Sequence, residues 1–219
     1  MYKRQAIVNK DGIAKVSSKV LAGEVVTMSI DWEHIPAKHR QLIKAFLDEA
    51  DMSADAIKTV DFSPACGADI VVSCEKAKDP KNGSIYLKPT QFVLGIGCRR
   101  DTAFENIDRA IRQSLLKLQI DISDIDMIAS IDVKKDEPGI KEFCERNRIE
   151  FVTYTADELM AVQGEFSASQ FVREHVGVDN VCERAAVLAC SKECNKAGEL
   201  IYKKHKYDSV TVAAARYPD

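Results

Sequence analysis

The sequence predicts an α/β protein in two parts. A small α/β region comes first, and a three-layer α/β domain follows, with a mixed, mainly parallel sheet and a C-terminal hairpin. Three observations carry this. Apolar runs of strand length at 92–97, 127–131 and 149–154 alternate with segments of helical periodicity, the pattern of a parallel sheet covered by helices. Those runs are apolar on successive residues, as strands buried on both faces are. Two β-rich runs, 200–204 and 210–215, flank Tyr207-Asp208-Ser209, a turn sequence that joins them as a hairpin.

In the first part, Ile13, Val16, Val20 and Leu21 recur at helical spacing, and Gly23 follows where a helix C-terminus favours positive φ. Residues 25–30 are β-rich. Pro36 stands near the start of a helix with Leu42, Ile43, Phe46 and Leu47 as its apolar positions. Strands are predicted at 57–62 and 70–74 and, shorter, at 85–87. The intervening 76–84 (KAKDPKNGS) is a turn or linker, with Pro80 and Asn82-Gly83. A domain boundary near Pro89 divides the chain into 1–89 and 90–219.

In the second part, Thr102 and Glu105 read as a capping box opening a helix whose face is Phe104, Ile107, Ile111, Leu115 and Leu118. A helix is predicted over 136–147. Thr155 with Glu158 and Ser167 with Gln170 read as further boxes, and a helix is expected over about 180–190. There is no internal repeat.

Composition narrows the function classes. The chain has 219 residues, with 31 Lys+Arg against 34 Asp+Glu and a net charge of −3, which speaks against a general nucleic-acid binder. The charge is spread as +1 over 1–90 and −4 over 91–219, so neither part offers a large surface of one sign. No apolar run approaches the ~20 residues of a membrane span. Seven cysteines without a Cys-x-x-Cys pair argue against a zinc ribbon or a redox motif, and a reduced, cytoplasmic protein is the expectation. The four histidines lack metal-ligand spacing, and His34 and His39 read as surface residues.

Three constellations could carry chemistry. Gly95-Ile96-Gly97-Cys98-Arg99-Arg100 places glycines at the end of a buried strand, followed by two guanidinium groups that match carboxylates or phosphates. Without a third glycine it is weak evidence for a dinucleotide. Next, alternation through Ser130, Asp132 and Lys134 would put a hydroxyl, a carboxylate and an ammonium on one face, suited to acid–base work. Asp136 and Glu137 read more simply as acids at a helix N-terminus. Last, Asn180 and Glu183 read as a cap and its box partner on a helix whose Ala185 and Ala186 permit close packing. Cys182 would need a partner to lower its pKa, with His175 near in sequence; a buried structural cysteine is the commoner state.

GIGCRR (95–100), SIDVKKDEPGI (130–140), FSASQFVREHVGVDNVCERAAVLA (166–189) and KYDSVTVAAAR (206–216) together resemble the C-terminal domain of the CbiG family. Those proteins are the cobalt-precorrin 5A hydrolases of anaerobic cobalamin biosynthesis. IVNKDGIAKVSSKVLAGEVV (7–26) resembles the family's middle region, and the family's N-terminal domain has no counterpart in the sequence. Asp101 stands where the family tends to have glycine.

The resemblance implies a hydrolase that opens the δ-lactone of a cobalt-containing tetrapyrrole and releases acetaldehyde, giving cobalt-precorrin 5B. The cobalt arrives with the substrate, so no protein metal site or cofactor is expected, and neither a nucleic acid nor a membrane is an expected partner. Self-association is left open. In this reading Asp132 or Glu183 is the general base and Lys134 its electrostatic or acid partner. Gly97, Cys98, Arg99, Arg100, Ser130, Lys206 and Thr211 bind substrate, the backbone amides after Gly97 included. The alternative is a non-catalytic corrinoid-binding protein like CobE, which the C-terminal domain also resembles, or an inactive fragment.

Overall fold

The apolar run at 92–98 becomes the middle strand of a five-stranded sheet in the computed structural model, and the first half of the chain builds a second sheet of its own. The chain divides into two units, Met1–Thr90 and Gln91–Pro218. The structure describes residues 5–7, 12–51, 57–62, 67–74, 84–169, 174, 176–194 and 196–218. Most of the expected linker at 76–84, Gln170 of the third capping box, and His175 lie outside the described residues.

The first unit runs β1 (Gln5–Ile7), α1 (Gly12–Leu21), β2 (Val26–Ile30), α2 (Ala37–Asp51), β3 (Ile57–Val60), β4 (Ile70–Val72) and β5 (Ile85–Pro89). Its strand order is β1-β5-β4-β2-β3, with β1 antiparallel to β5 and the other pairs parallel. Met28, Ile30, Ile35, Ile43 and Val72 form its core. Gly23 follows α1 at φ 70°, as expected. The apolar faces are narrower than the periodicity predicts. Val16 is buried while Val20 and Leu21 are 56% and 88% exposed, and in α2 Ile43 is buried while Leu42 and Phe46 stay about half exposed. The α2 stripe that meets the core is a single i, i+4 row, Ile43 and Leu47.

The second unit runs β6 (Phe92–Cys98), α3 (Phe104–Leu118), β7 (Ile125–Ile131), α4 (Pro138–Asn147), β8 (Glu150–Tyr154), α5 (Ala156–Ala161), α6 (Val181–Cys194), β9 (Glu199–Tyr207) and β10 (Val210–Arg216). Strand order is β8-β7-β6-β10-β9. β6, β7 and β8 are parallel, and β10 is antiparallel to both β6 and β9, so it alone among the five runs the other way. This is the mixed, mainly parallel sheet with a C-terminal hairpin that the sequence predicts. Leu94 and Ile96 of β6 pack on one face with Ile107 and Ile111 of α3 and Ile140 and Phe143 of α4. Val93, on the other face, joins Leu159 of α5 and Ala185, Ala186 and Ala189 of α6, which completes three layers.

The helix starts divide into one that follows the local pattern and two that do not. Thr155 and Glu158 close a full capping box on α5. Thr102 and Glu105 do not: the N-cap of α3 is Ala103, without a side-chain cap. The Thr102 hydroxyl donates instead to the Arg99 carbonyl at 2.8 Å, and its amide to Glu137 Oε1 at 2.9 Å. On α6, Asn180 Oδ1 accepts from the Glu183 amide at 2.9 Å, as a cap should, but the Glu183 side chain turns elsewhere.

α6 lies close against β6, and Gly95 is what permits it. A Cβ at Gly95 would stand 1.7 Å from the Cys182 carbonyl oxygen and 3.0 Å from the Ala186 amide nitrogen. Both obstacles are backbone, so no side-chain rotation relieves them. Gly95→Ala is therefore expected to destabilise the second unit by about 3 kcal/mol. Urea unfolding followed by far-UV circular dichroism measures this, and an unchanged midpoint would contradict the close packing.

Candidate functional site

The carboxyl ends of β6 and β7 and the amino end of β10 meet at one edge of the second sheet. Gly97 pairs with Thr211, whose hydroxyl donates to the Gly97 carbonyl at 3.1 Å. A Cβ at Gly97 would lie 2.7 Å from that hydroxyl, so glycine lets Thr211 sit directly over the strand end. Arg99 and Arg100 follow in an exposed turn. The turn is completed by Asp101 at φ 57°, a left-handed conformation that glycine adopts without the strain an L side chain incurs.

Two of the amides after Gly97 already have protein acceptors. The Arg99 amide donates to the Ser209 carbonyl at 3.0 Å and the Thr102 amide to Glu137. The guanidinium groups of Arg99 and Arg100 stand exposed beside them. Glu137 also accepts from Lys134 Nζ at 2.7 Å, with the two side chains 13% and 4% exposed. It ties the turn after β6 to the turn after β7, a larger part than that of a helix-terminal acid.

Strand alternation does not continue through Ser130, Asp132 and Lys134. β7 ends at Ile131, and Asp132–Lys134 form a 3-10 turn. Ser130 is fully buried and donates to the Ile96 carbonyl at 2.7 Å, tying β7 to β6. Lys134 is held by Glu137. Asp132 is half-buried, and its carboxylate has no hydrogen bond or ion pair among the described residues. Burial pushes the neighbouring Cys98 thiol up to about 11, so it is protonated at neutral pH.

Glu183 is fully buried, and three donors converge on it. Oε2 accepts from the Ser167 amide at 2.7 Å, and Oε1 from the Ser167 hydroxyl at 2.8 Å and the Lys204 amide at 2.6 Å. The Asn180 side-chain amide donates to the Ser167 carbonyl at 2.8 Å. A carboxylate so enclosed clamps α6, the 166–169 segment and β9 together, and it leaves Asp132 as the accessible carboxylate of the two expected bases. Arg184 extends the clamp, pairing with Asp179 at 2.7 Å, donating to the Leu159 and Val162 carbonyls, and lying over the Phe166 ring. Burial pushes the Cys182 thiol up to about 12, which fits the structural cysteine.

Around this edge Arg99, Arg100, Lys135 and Lys206 are exposed. Lys206 also lines a depression of about 350 Å³ with Asn106, Arg109, Gln113, Tyr207 and Asp208. None of these five cations has an ion-pair partner among the described residues. Exposed or half-buried carboxylates at the same turns include Asp101, Asp132, Asp136 and Asp208. Sequence reasoning missed Arg109 and Glu137. Position 109 could have been found from the helical period, which puts it on the polar side of α3. No group of three or more His, Cys, Asp or Glu suited to a metal occurs among the described residues, and no described helix is long and apolar enough to cross a membrane.

The clamp can be tested directly. Whichever way a glutamine is turned at 183, its NH2 faces a backbone N–H, of Ser167 or of Lys204. Glu183→Gln is expected to cost about 3 kcal/mol. Denaturant unfolding reads the loss, and wild-type stability would contradict the assignment.

Comparison with known proteins places the chain in a family. The family described as "Cobalamin synthesis G C-terminus" matches residues 92–215. The probable cobalt-precorrin-5A hydrolase of Methanocaldococcus jannaschii is 33% identical over 137 residues, 60% of this chain and 42% of the relative. The cobalt-precorrin-5A hydrolase of Salmonella typhimurium is 34% identical over 126 residues, 58% of this chain and 34% of the relative. The chain thus spans less than half the length of either. Among solved structures, that of CobE, described as a protein from the cobalamin (vitamin B12) biosynthetic pathway, is 25% identical with a TM-score of 0.54, covering 57% of this chain and 89% of CobE. With more than half of its length matched, from the start of β6 to Ala215 in β10, the chain belongs to the cobalamin synthesis G C-terminal family.

Proposed function

We propose that this chain takes part in cobalamin biosynthesis as a cobalt-precorrin 5A hydrolase, acting at the carboxyl edge of the second sheet. The observation that carries the reading is that the stretch matched to the family, 92–215, holds both the unpaired cations and Asp132. The substrate bears acetate and propionate arms, which Arg99, Arg100 and Lys206 suit, the guanidinium forks best of all. Thr211 and Gly97 form the floor beneath them.

In this mechanism Asp132 accepts a proton from water as the water oxygen bonds to the lactone carbonyl carbon. The ring C–O bond breaks, and the released hydroxyl then loses its proton to become the carbonyl of acetaldehyde. The electron pair of the severed C–C bond stays on the macrocycle carbon, which takes up a proton. Lys134, fixed by Glu137, holds the turn that carries Asp132 and contributes positive potential beside it. Glu183 acts at one remove, by positioning the 166–169 segment and β9.

A second reading, binding of a corrinoid intermediate without turnover, is favoured by one observation: the chain covers most of CobE but less than half of either hydrolase. Anaerobic incubation with cobalt-precorrin 5A separates the two. The hydrolase reading expects acetaldehyde well above the protein-free control, and a drop of at least ~100-fold in Asp132→Asn. The Arg99→Ala, Arg100→Ala double variant is expected to raise the substrate concentration needed before it lowers the maximal rate. A retained corrinoid spectrum without acetaldehyde would overturn the hydrolase reading in favour of binding.

A further inference from the structure

The depression of about 350 Å³ beside the cationic edge has one wall from α3 and one from the turn of the β9–β10 hairpin. Asn106, Arg109, Ala110 and Gln113 line it from the helix, at the i, i+3, i+4 and i+7 positions of a single face. Lys206, Tyr207 and Asp208 line it from the hairpin. Hydrogen bonds pin the two walls together. The Tyr207 hydroxyl lies 3.2 Å from Ser114 Oγ on α3 and 2.9 Å from the Tyr202 hydroxyl. Lys117, further along the same helix, places its Nζ 5.0 Å from the centre of the Tyr207 ring. Ala110 is buried, so the floor is rigid and apolar while the rim is polar.

The charges on that rim indicate what would fill it. Glu105 lies one helical turn before Arg109, a spacing at which acid and base commonly pair. Arg109 makes no ion pair among the described residues, and Asp108 beside it is taken by Arg112 at 2.8 Å. The guanidinium lines the depression instead, facing a hairpin wall that carries a second cation, Lys206. Two cations sharing one hollow repel each other, and an anion placed there attracts both. Arg109 and Lys206 against Asp208 leave the lining a net charge of +1, which one carboxylate balances and a phosphate dianion would exceed. Asn106 and Gln113 flank Arg109 with side-chain amides able to donate to carboxylate oxygens. The volume lies at the small end of ligand pockets, about 300–1,000 Å³, which suits a side arm.

The depression is tied to the edge that carries Arg99 and Arg100. Ser209, next to Asp208, accepts from the Arg99 amide at 3.0 Å, and Lys206 pairs across the hairpin with Thr211. We propose that it is a subsite for one carboxylate arm of the tetrapyrrole, with Arg109 as the anchor and Asn106 and Gln113 as neutral donors beside it. The inference rests on the corrinoid reading of the cationic edge and extends it to α3, whose polar face the strand-end motifs do not include.

Titration of the full chain with a diamagnetic cobalt(III) corrinoid bearing free carboxylates, followed by corrinoid absorbance, tests the subsite. Arg109→Gln is expected to weaken binding about 10-fold, the effect of a charge-assisted contact reduced by its exposure. Arg112→Gln, which removes an exposed cation from the same helix outside the depression, should leave binding unchanged. Glutamine is a good helix former, so both variants are expected to fold. In the wild type, the side-chain NH2 signals of Asn106 and Gln113 should shift as the corrinoid saturates. Wild-type affinity in Arg109→Gln, or the same weakening in Arg112→Gln, would overturn the subsite and leave the edge reading in place. A wild-type chain that does not bind this corrinoid would overturn both.

Discussion

The Glu183 carboxylate is the contact on which the second unit's functional edge depends. An ionised group out of water is tolerated only when donors replace its hydration, and here the Ser167 amide, the Ser167 hydroxyl and the Lys204 amide do so. Those donors come from two segments distant in sequence, so satisfying one buried charge fixes both against the first turn of α6. The next residue, Arg184, repeats the device with opposite sign, holding Asp179 and the Leu159 and Val162 carbonyls. Adjacent acidic and basic side chains thereby anchor the chain on both sides of the α5–α6 connection.

α6 can serve as that anchor because it approaches the sheet closely. Ala185, Ala186 and Ala189 leave its inner face nearly flat, and Gly95 removes the one Cβ that would collide with the Cys182 carbonyl. The same strand that accommodates the helix ends two residues later in Gly97 and the arginines. Packing and function are therefore linked through β6: the glycines that let α6 settle also set where the exposed guanidinium groups begin.

What the sequence made legible was whatever depends on near neighbours. The three parallel strands, the hairpin and the Thr155–Glu158 box all follow from local period and spacing. Misreadings arose where a side chain is claimed by a distant partner. Thr102 and Glu105 have the spacing of a box, yet the Thr102 amide is taken by Glu137, 35 residues away. Glu183 has the spacing of a box partner, yet its carboxylate goes to Ser167 and Lys204. Ser130, Asp132 and Lys134 would share a face only if β7 continued, and it turns at Asp132. At the edge itself, Gly97, Arg99 and Arg100 follow the end of the buried strand, as the local pattern predicts.

The central claim is that a polycarboxylate corrinoid sits on the cationic edge of the second sheet. The most direct measurement is amide chemical-shift mapping of the 15N-labelled chain titrated with a diamagnetic cobalt(III) corrinoid bearing free carboxylates. The account predicts the largest shifts at Gly97 to Arg100, at Thr211 and at Lys206, saturating together. Shifts confined to other surfaces, or none at concentrations that fill a specific site, would contradict it.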